Sequence, residues 1–483
     1  MMASWEQTVR ARNVIRQSVM TNGTSKEPAL LRIAGWADSV GLDNGDHAWI
    51  AEDAFVDILA CMAAGVGEPV TERLIDAFGE SGRGQSVILF TNATSAPATA
   101  ALVNATAAHA TELDDWDNAT EAHMSAVIVP ALLAVSEPRR TSGAALIDAF
   151  LIGLEVGMIC GEAINPGHLY GGWHPTSTIG SLAAAAACAR LLGLDEARMA
   201  HAISLATTNA GLKCQVGTMA KPMFAGTAAQ CGVQSALMAA AGITASLDAL
   251  DGPNGVEAIR SSGQTGGFDE ALQGLYRSRW IDRFALNRKP YPTCGIVHRP
   301  IDGIVSLMTE HCLRSRDIAQ VDVRLSQIEH DYCGISRPAN VDEARFSVAF
   351  GVARTIADGR PPVGRLVPGM LKDDAYRTAL DKVHVGIHEN PSEGEHYPPV
   401  RVEIALPDGR SVQTSVPFAK GWPENPLSRA DIHEKFRVNA GAVLGDSGAA
   451  NLLDALKDLR NAPMLEEVLR LSCPVSAPRS RRS

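Results

Sequence analysis

From about residue 28 to about 275 the apolar positions follow helical spacing, and the runs close on glycine. "TSTIGSLAAAAACARLLG" offers Thr176 and Ser177 as N-caps, continues through alanines and stops at Gly193. "DEARMAHAISLATTNAG" opens on an Asp195 cap and ends near Gly211, and "AGTAAQCGVQSALMAAAG" runs from Gly226 to a stop at Gly242. From about residue 286 the period becomes two. "VDVRL" and "KVHVGIHE" alternate as half-buried strands do, and "VRVEIALPDGRSVQTSV" turns at Pro407-Asp408-Gly409 into a hairpin. Between these strands "DEARFSVAFGVARTIADG" reads as a helix ending at Gly359, and after about 425 the pattern is helical again. The expected fold is mainly α: a large helical domain over 1–285, an inserted smaller α+β lid over 286–424, and helices of 425–483 returning to the first part.

Composition sharpens this picture. Of the 483 residues, 46% are apolar but only 5% aromatic, so small side chains must let helices approach closely. A net charge of −11 argues against a nucleic-acid or anionic-membrane surface, and only the tail "SAPRSRRS" is locally basic. The run "MSAVIVPALLAVSE" is too short to span a membrane and contains Pro130, so no transmembrane segment is expected. The N-terminal "MMASWEQTVRARNVIRQ" lacks a secretory core; a transit segment is the alternative, opposed by Glu6. Nine cysteines without a CxxC pair fit a reducing cytoplasm rather than disulfides or structural zinc.

Candidate chemistry lies in four segments. "ELDDWDNATEAH" gathers Glu112, Asp114, Asp115, Asp117, Asn118, Glu121 and His123 between two apolar runs, with His109 just upstream. It reads as a solvated acidic loop, as a metal site, or as an acid–base wall in an apolar cleft. "YGGWHPTSTIG" holds His174 at a helix start, whose free N–H groups attract carboxylates. "VGTMAKPMFAGTAAQCG" sets Lys221 in an apolar context, as a carboxylate anchor, a base, or a snorkelling surface lysine. "NRKPYPTCGIVHRPIDG" spaces Cys294 and His298 by one helical turn, a weak metal or nucleophile signal.

In their order along residues 50–440, these segments resemble the MmgE/PrpD family of 2-methylcitrate dehydratases, cis-aconitate decarboxylases and iminodisuccinate epimerases. "LDDWDNATEAHMSAVIVPALLAVSE" is similar to the family's acidic motif, "GGWHPTSTIG" to its His turn, "GTMAKPMFAGTAAQCG" to its Lys-Pro motif and "KPYPTCGIVHRPID" to its fourth. The resemblance implies catalytic roles for Asp114, His123, His174, Lys221 and His298, and substrate contacts from Asp117, Asn118, Lys221, His174 and Cys294. Asn118 stands where the family has Thr, Met124 replaces a proline, and Cys294 falls where some members carry histidine.

It further implies a homodimeric lyase without metal or organic cofactor, acting by acid–base chemistry on a small di- or tricarboxylic acid of the citrate or aconitate type. In that reading Asp114 orients His123 for proton transfer, while Lys221 and His174 bind carboxylates. Opposed influences of the helix end and the aspartates would hold His123 near neutral pH. The alternatives are a dicarboxylate epimerase, a metal-dependent hydrolase built on His109, Asp114, Asp117 and His123, and a helical binding protein without catalysis.

Overall fold

The structure is a computed structural model that describes residues 26–42, 47–78, 84–118, 120–136, 141–275, 286–388 and 398–474. The N-terminal targeting reading and the basic tail fall outside these residues. The chain is mainly helical. The helices that place the site are α1 (Ala48–Gly65), α2 (Pro97–His109), α3 (Met124–Ser136), α4 (Gly143–Ile164), α5 (Pro175–Leu191), α6 (Glu196–Ala206) and α7 (Met223–Ala240). Helix α5 packs on α4 and α7, and α7 packs on α2. Small residues make this possible: a Cβ added at Gly232 would stand 2.4 Å from the Cβ of Ala184, so α5 and α7 touch nearly backbone to backbone.

The later chain builds a second core. Helix α8 (Gly295–Glu310), α9 (Gln327–Cys333) and α10 (Val348–Asp358) accompany a four-stranded sheet of β1 (Gln320–Leu325), β2 (Val383–Ile387), β3 (Val400–Ala405) and β4 (Ser411–Val416). Its order is β2-β1-β3-β4, with β1 parallel to β2 and antiparallel to β3. The predicted hairpin is β3–β4, with Val400 opposite Val416 and Gly409 at φ 85° in the turn. Val321, Val323, Leu325, Val400, Val402 and Ile404 point into this core at period two. A long later helix α11 (Arg429–Lys457), broken at Gly445, sends Ile432, Phe436 and Leu452 back into the first core.

Several local expectations need correction. Helix α5 is capped by His174 rather than Thr176 or Ser177, because Pro175 occupies its first turn. Helix α6 stops at Ala206, short of Gly211. The helix expected up to Gly359 is two pieces, since the Ser347 side chain caps α10 afresh by accepting from the Phe350 amide. Among the described residues one helix is both long and apolar enough to cross a membrane: α4 has 22 residues, but 83% of its most apolar stretch is buried inside the fold. It is the central core helix on which α5 rests.

Candidate active site

The acidic stretch is not a solvated loop. Glu112, Asp114, Asp115 and Asp117 are all buried between the end of α2 and the start of α3. Those two helix ends bring His109 and His123 together, with ring centroids 4.5 Å apart. Asp114 sits under both, its Oδ2 2.7 Å from His109 Nδ1 and 3.0 Å from His123 Nδ1. These three are the one group of metal-ligand type among the described residues. At 2.7 and 3.0 Å, the Asp114 carboxylate meets both imidazoles directly, the length at which a carboxylate orients a histidine ring. Asp117, the fourth member of the metal alternative, is turned elsewhere: its carboxylate accepts from the Thr120 amide at 2.7 Å and hydroxyl at 2.5 Å.

A second buried cluster adjoins the first. Glu112, with a left-handed φ of 56°, accepts from the Lys221 ammonium on one oxygen and from Lys289 at 3.1 Å on the other. A non-glycine residue held there is the kind of strain that surrounding structure must impose. Lys221 comes from the turn before α7 and lies 5.7 Å from the Phe346 ring. Lys289 comes from an extended segment pinned on both sides: Asn287 bridges to Trp116, and the Arg288 amide donates to Gly421 at 2.8 Å. Gly421 is required there, because its φ is 95° and a Cβ would collide with the Arg288 carbonyl.

Both clusters open into one cavity. Its wall includes Glu112, His123, His174, Lys213, Lys221, Lys289 and Cys294, closed by Trp116, Tyr332, Phe346 and Trp422. His174 stands at the N-terminus of α5 against the Phe224 ring at 4.2 Å, and its Nδ1 is buried without a hydrogen-bond partner. The His123 amide donates to Thr176 in the first turn of α5 at 3.2 Å, which fixes the two histidine segments to each other. Arg299 also reaches the wall, but it is paired with Glu329 and the Pro398 carbonyl.

Three residues expected at the site lie elsewhere. Asp117 is held by Thr120; Asn118 is exposed and accepts from Asn287 at 3.0 Å. His298 is buried in the first turn of α8, 3.2 Å from the Thr293 carbonyl, and is not part of the lining. Cys294 does line the cavity, as the N-cap of α8. Contact with the Cys333 thiol and the nearby Lys289 charge draw its pKa down against the effect of burial.

Burial decides the protonation states. It drives His123 down to about 3, outweighing the pull of Asp114, and Lys289 reinforces it. The expectation of a near-neutral His123 therefore needs correction: desolvation exceeds the opposing carboxylate effect. His174 is likewise held well below its usual range by burial and by Lys221. Burial would raise the Glu112 carboxyl, but Lys221 and Lys289 hold it well below the ordinary range, and Glu112 in turn raises Lys289. The site thus sets His123 and His174, held toward the neutral form, beside the Lys289 ammonium, which is held charged.

Residues 31–268 match the MmgE/PrpD N-terminal domain and residues 291–461 the MmgE/PrpD C-terminal domain. The chain belongs to the MmgE/PrpD family. Within it, the chain is 29% identical to a cis-aconitate decarboxylase of Aspergillus terreus over 96% of its own length and 99% of the relative's. It is 27% identical to the Homo sapiens cis-aconitate decarboxylase, covering 78% of this chain and 80% of that one, and 28% identical to that of Mus musculus, covering 77% and 78%. This MmgE/PrpD member is an enzyme, a lyase.

Sequence reasoning placed Glu112 in the acidic stretch but gave it no role, and it passed over Lys289, Tyr332 and Lys213. The "KPYP" motif held a signal for Lys289, whose lysine stands beside the proline as Lys221 does in "AKPM".

Proposed function

We propose that this MmgE/PrpD protein decarboxylates a small unsaturated polycarboxylic acid of the cis-aconitate type, without a metal or organic cofactor. The observation that carries the reading is the buried Glu112–Lys221–Lys289 bridge in one cavity with His123 and His174. Two ammonium groups and only one carboxylate leave this cluster with excess positive charge, which suits the carboxylates of a substrate. The decarboxylases among its relatives favour this reaction over dehydration or epimerisation.

In the reaction, the carboxylate on the substrate's sp3 carbon departs as CO₂. The C–C electron pair forms a new double bond, and the old one moves its electrons toward the carbon beside a second carboxylate. That carbon takes a proton, so a tricarboxylic acid yields a dicarboxylic acid and CO₂. The aromatic wall of Tyr332, Phe346 and Trp422 favours loss of charge from the departing group, while Lys221 and Lys289 stabilise the charge that develops on the remaining carboxylates. His123, oriented by Asp114, delivers the proton after the polyanion has raised its pKa. His174 presents a hydrogen bond at the helix terminus.

The same proposal takes residues 286–424 as a lid domain inserted between 1–285 and 425–483. Its support is the separation of the two hydrophobic cores and a cavity lined from both. A homodimer in the cytoplasm belongs to this reading, the dimer from the family resemblance and the compartment from nine free cysteines. A test is to incubate the purified protein, with and without chelator, with cis-aconitate, citrate and 2-methylcitrate and follow CO₂ and alkene products. CO₂ from cis-aconitate in both cases is expected; activity lost to chelation and restored by a divalent metal would contradict the cofactor-independent mechanism.

A further inference from the structure

Lys213 lines the same cavity as Lys221 and Lys289 but stands apart from their salt bridge. It lies in the short turn Lys213–Gln215, and that turn is stitched to the segment before His174. The Lys213 amide donates to the Gly172 carbonyl at 3.0 Å, and Leu212 bridges to Trp173. The side chain is half-buried. Its Nζ donates to the Leu169 carbonyl at 3.3 Å and sits 4.7 Å from the centroid of the Tyr332 ring. Where Lys221 and Lys289 meet a carboxylate at contact distance, Lys213 meets a neutral carbonyl and the face of an aromatic ring. An ammonium has three N–H donors, and these neighbours engage one of them and the cation's field. Burial draws its pKa down while the charge of Glu121, also in the wall, draws it up.

We propose that Lys213 binds a second carboxylate of the substrate, away from the Glu112-bridged lysines, and so sets specificity for di- and tricarboxylates over monocarboxylates. The inference rests on the polycarboxylate reading above. It follows from placement: a cation anchored by backbone to the His174 turn cannot move independently of the catalytic segment, so it fixes one end of the substrate relative to His174. Tyr332 supports the ammonium stem from the side of the second core, and a ligand carboxylate can complete its hydrogen bonding.

The test compares wild type, Lys213→Met and Lys213→Arg by calorimetry with cis-aconitate and with crotonate, a single carboxylate. Lys213→Met should weaken cis-aconitate binding about 10- to 100-fold, the scale of one charge-assisted contact. Crotonate should bind the wild type and Lys213→Met equally, or not at all. Lys213→Arg, which keeps charge and fold, should stay within about threefold of wild type. In turnover, the methionine variant should raise KM far more than it lowers kcat. Cis-aconitate affinity in Lys213→Met within twofold of wild type, equal losses for both acids, or no tricarboxylate binding by the wild type would each overturn the proposal. Binding without turnover in the wild type, with the Lys213 effect present, would leave this inference standing and remove the decarboxylation reading instead.

Discussion

Filling the cavity with a polyanion should protonate it. Burial holds His123 down to about 3, so at pH 7 it is neutral and a poor acid until an anion stands beside it. Raising it to 7 takes about 5 kcal/mol at roughly 1.4 kcal/mol per decade. One carboxylate about 5 Å away at an effective dielectric of about 20 supplies roughly 3 kcal/mol, and two supply roughly 6 to 7 kcal/mol. A monoanion therefore leaves His123 largely neutral, whereas a di- or tricarboxylate brings it to the working range. Binding of a substrate-like tricarboxylate at pH 7 should take up between about half a proton and one proton. The assay is calorimetry in buffers of different ionisation enthalpy, where the slope of binding enthalpy against buffer enthalpy counts protons. His123→Gln should remove most of that slope. Zero slope or net proton release in the wild type would refute the reasoning.

Other outcomes follow from the same geometry. His123→Gln should retain substrate binding but lose roughly 10²-fold or more in kcat, measured by steady-state kinetics; near-normal turnover would remove His123 from proton transfer. Lys221→Ala, which breaks the Glu112 bridge, should lower kcat/KM by roughly 10²-fold or more while circular dichroism shows the fold retained; unchanged kinetics would leave the bridge structural. Asp115, buried beside Asp57 and bonded to Ser125, is raised to about 7. Because its folded pKa lies above its unfolded one, the native state keeps the proton, so the stability it lends is present at low pH and is lost as pH rises from about 4 to about 7. Asp115→Asn should accordingly raise Tm relative to wild type at pH 8 and lose that advantage at pH 4; equal shifts at both would contradict this.

The periodic parts of the chain were readable because burial imposes them. The β3–β4 hairpin follows from its alternation and Gly409, and the close helical body from alanine and glycine. The helix ends were less legible: Ser347 starts a new helix within a run that looks continuous, and His174 takes a capping position that Thr176 and Ser177 advertise by type. At the site, the sequence brought out His123, His174 and Lys221, which are bounded by sharp local motifs. The family resemblance singled out Asp114 as the partner of His123, where the structure places it, but gave Asp117 a substrate contact, whereas that carboxylate is tied to Thr120. The sequence could not pair Glu112 with Lys289, since that contact joins residues 177 positions apart. The low pKa of His123 was misjudged for a related reason: desolvation depends on the cavity wall, which only the folded chain assembles.

The most direct test of the proposed decarboxylation is NMR of cis-aconitate incubated with the protein in D₂O. Loss of CO₂, a terminal alkene, and one deuterium on the carbon that accepts the transferred proton are expected, all slowed roughly 10²-fold or more in His123→Gln. Unchanged cis-aconitate, or a hydrated product with all its carboxylates retained, would contradict it.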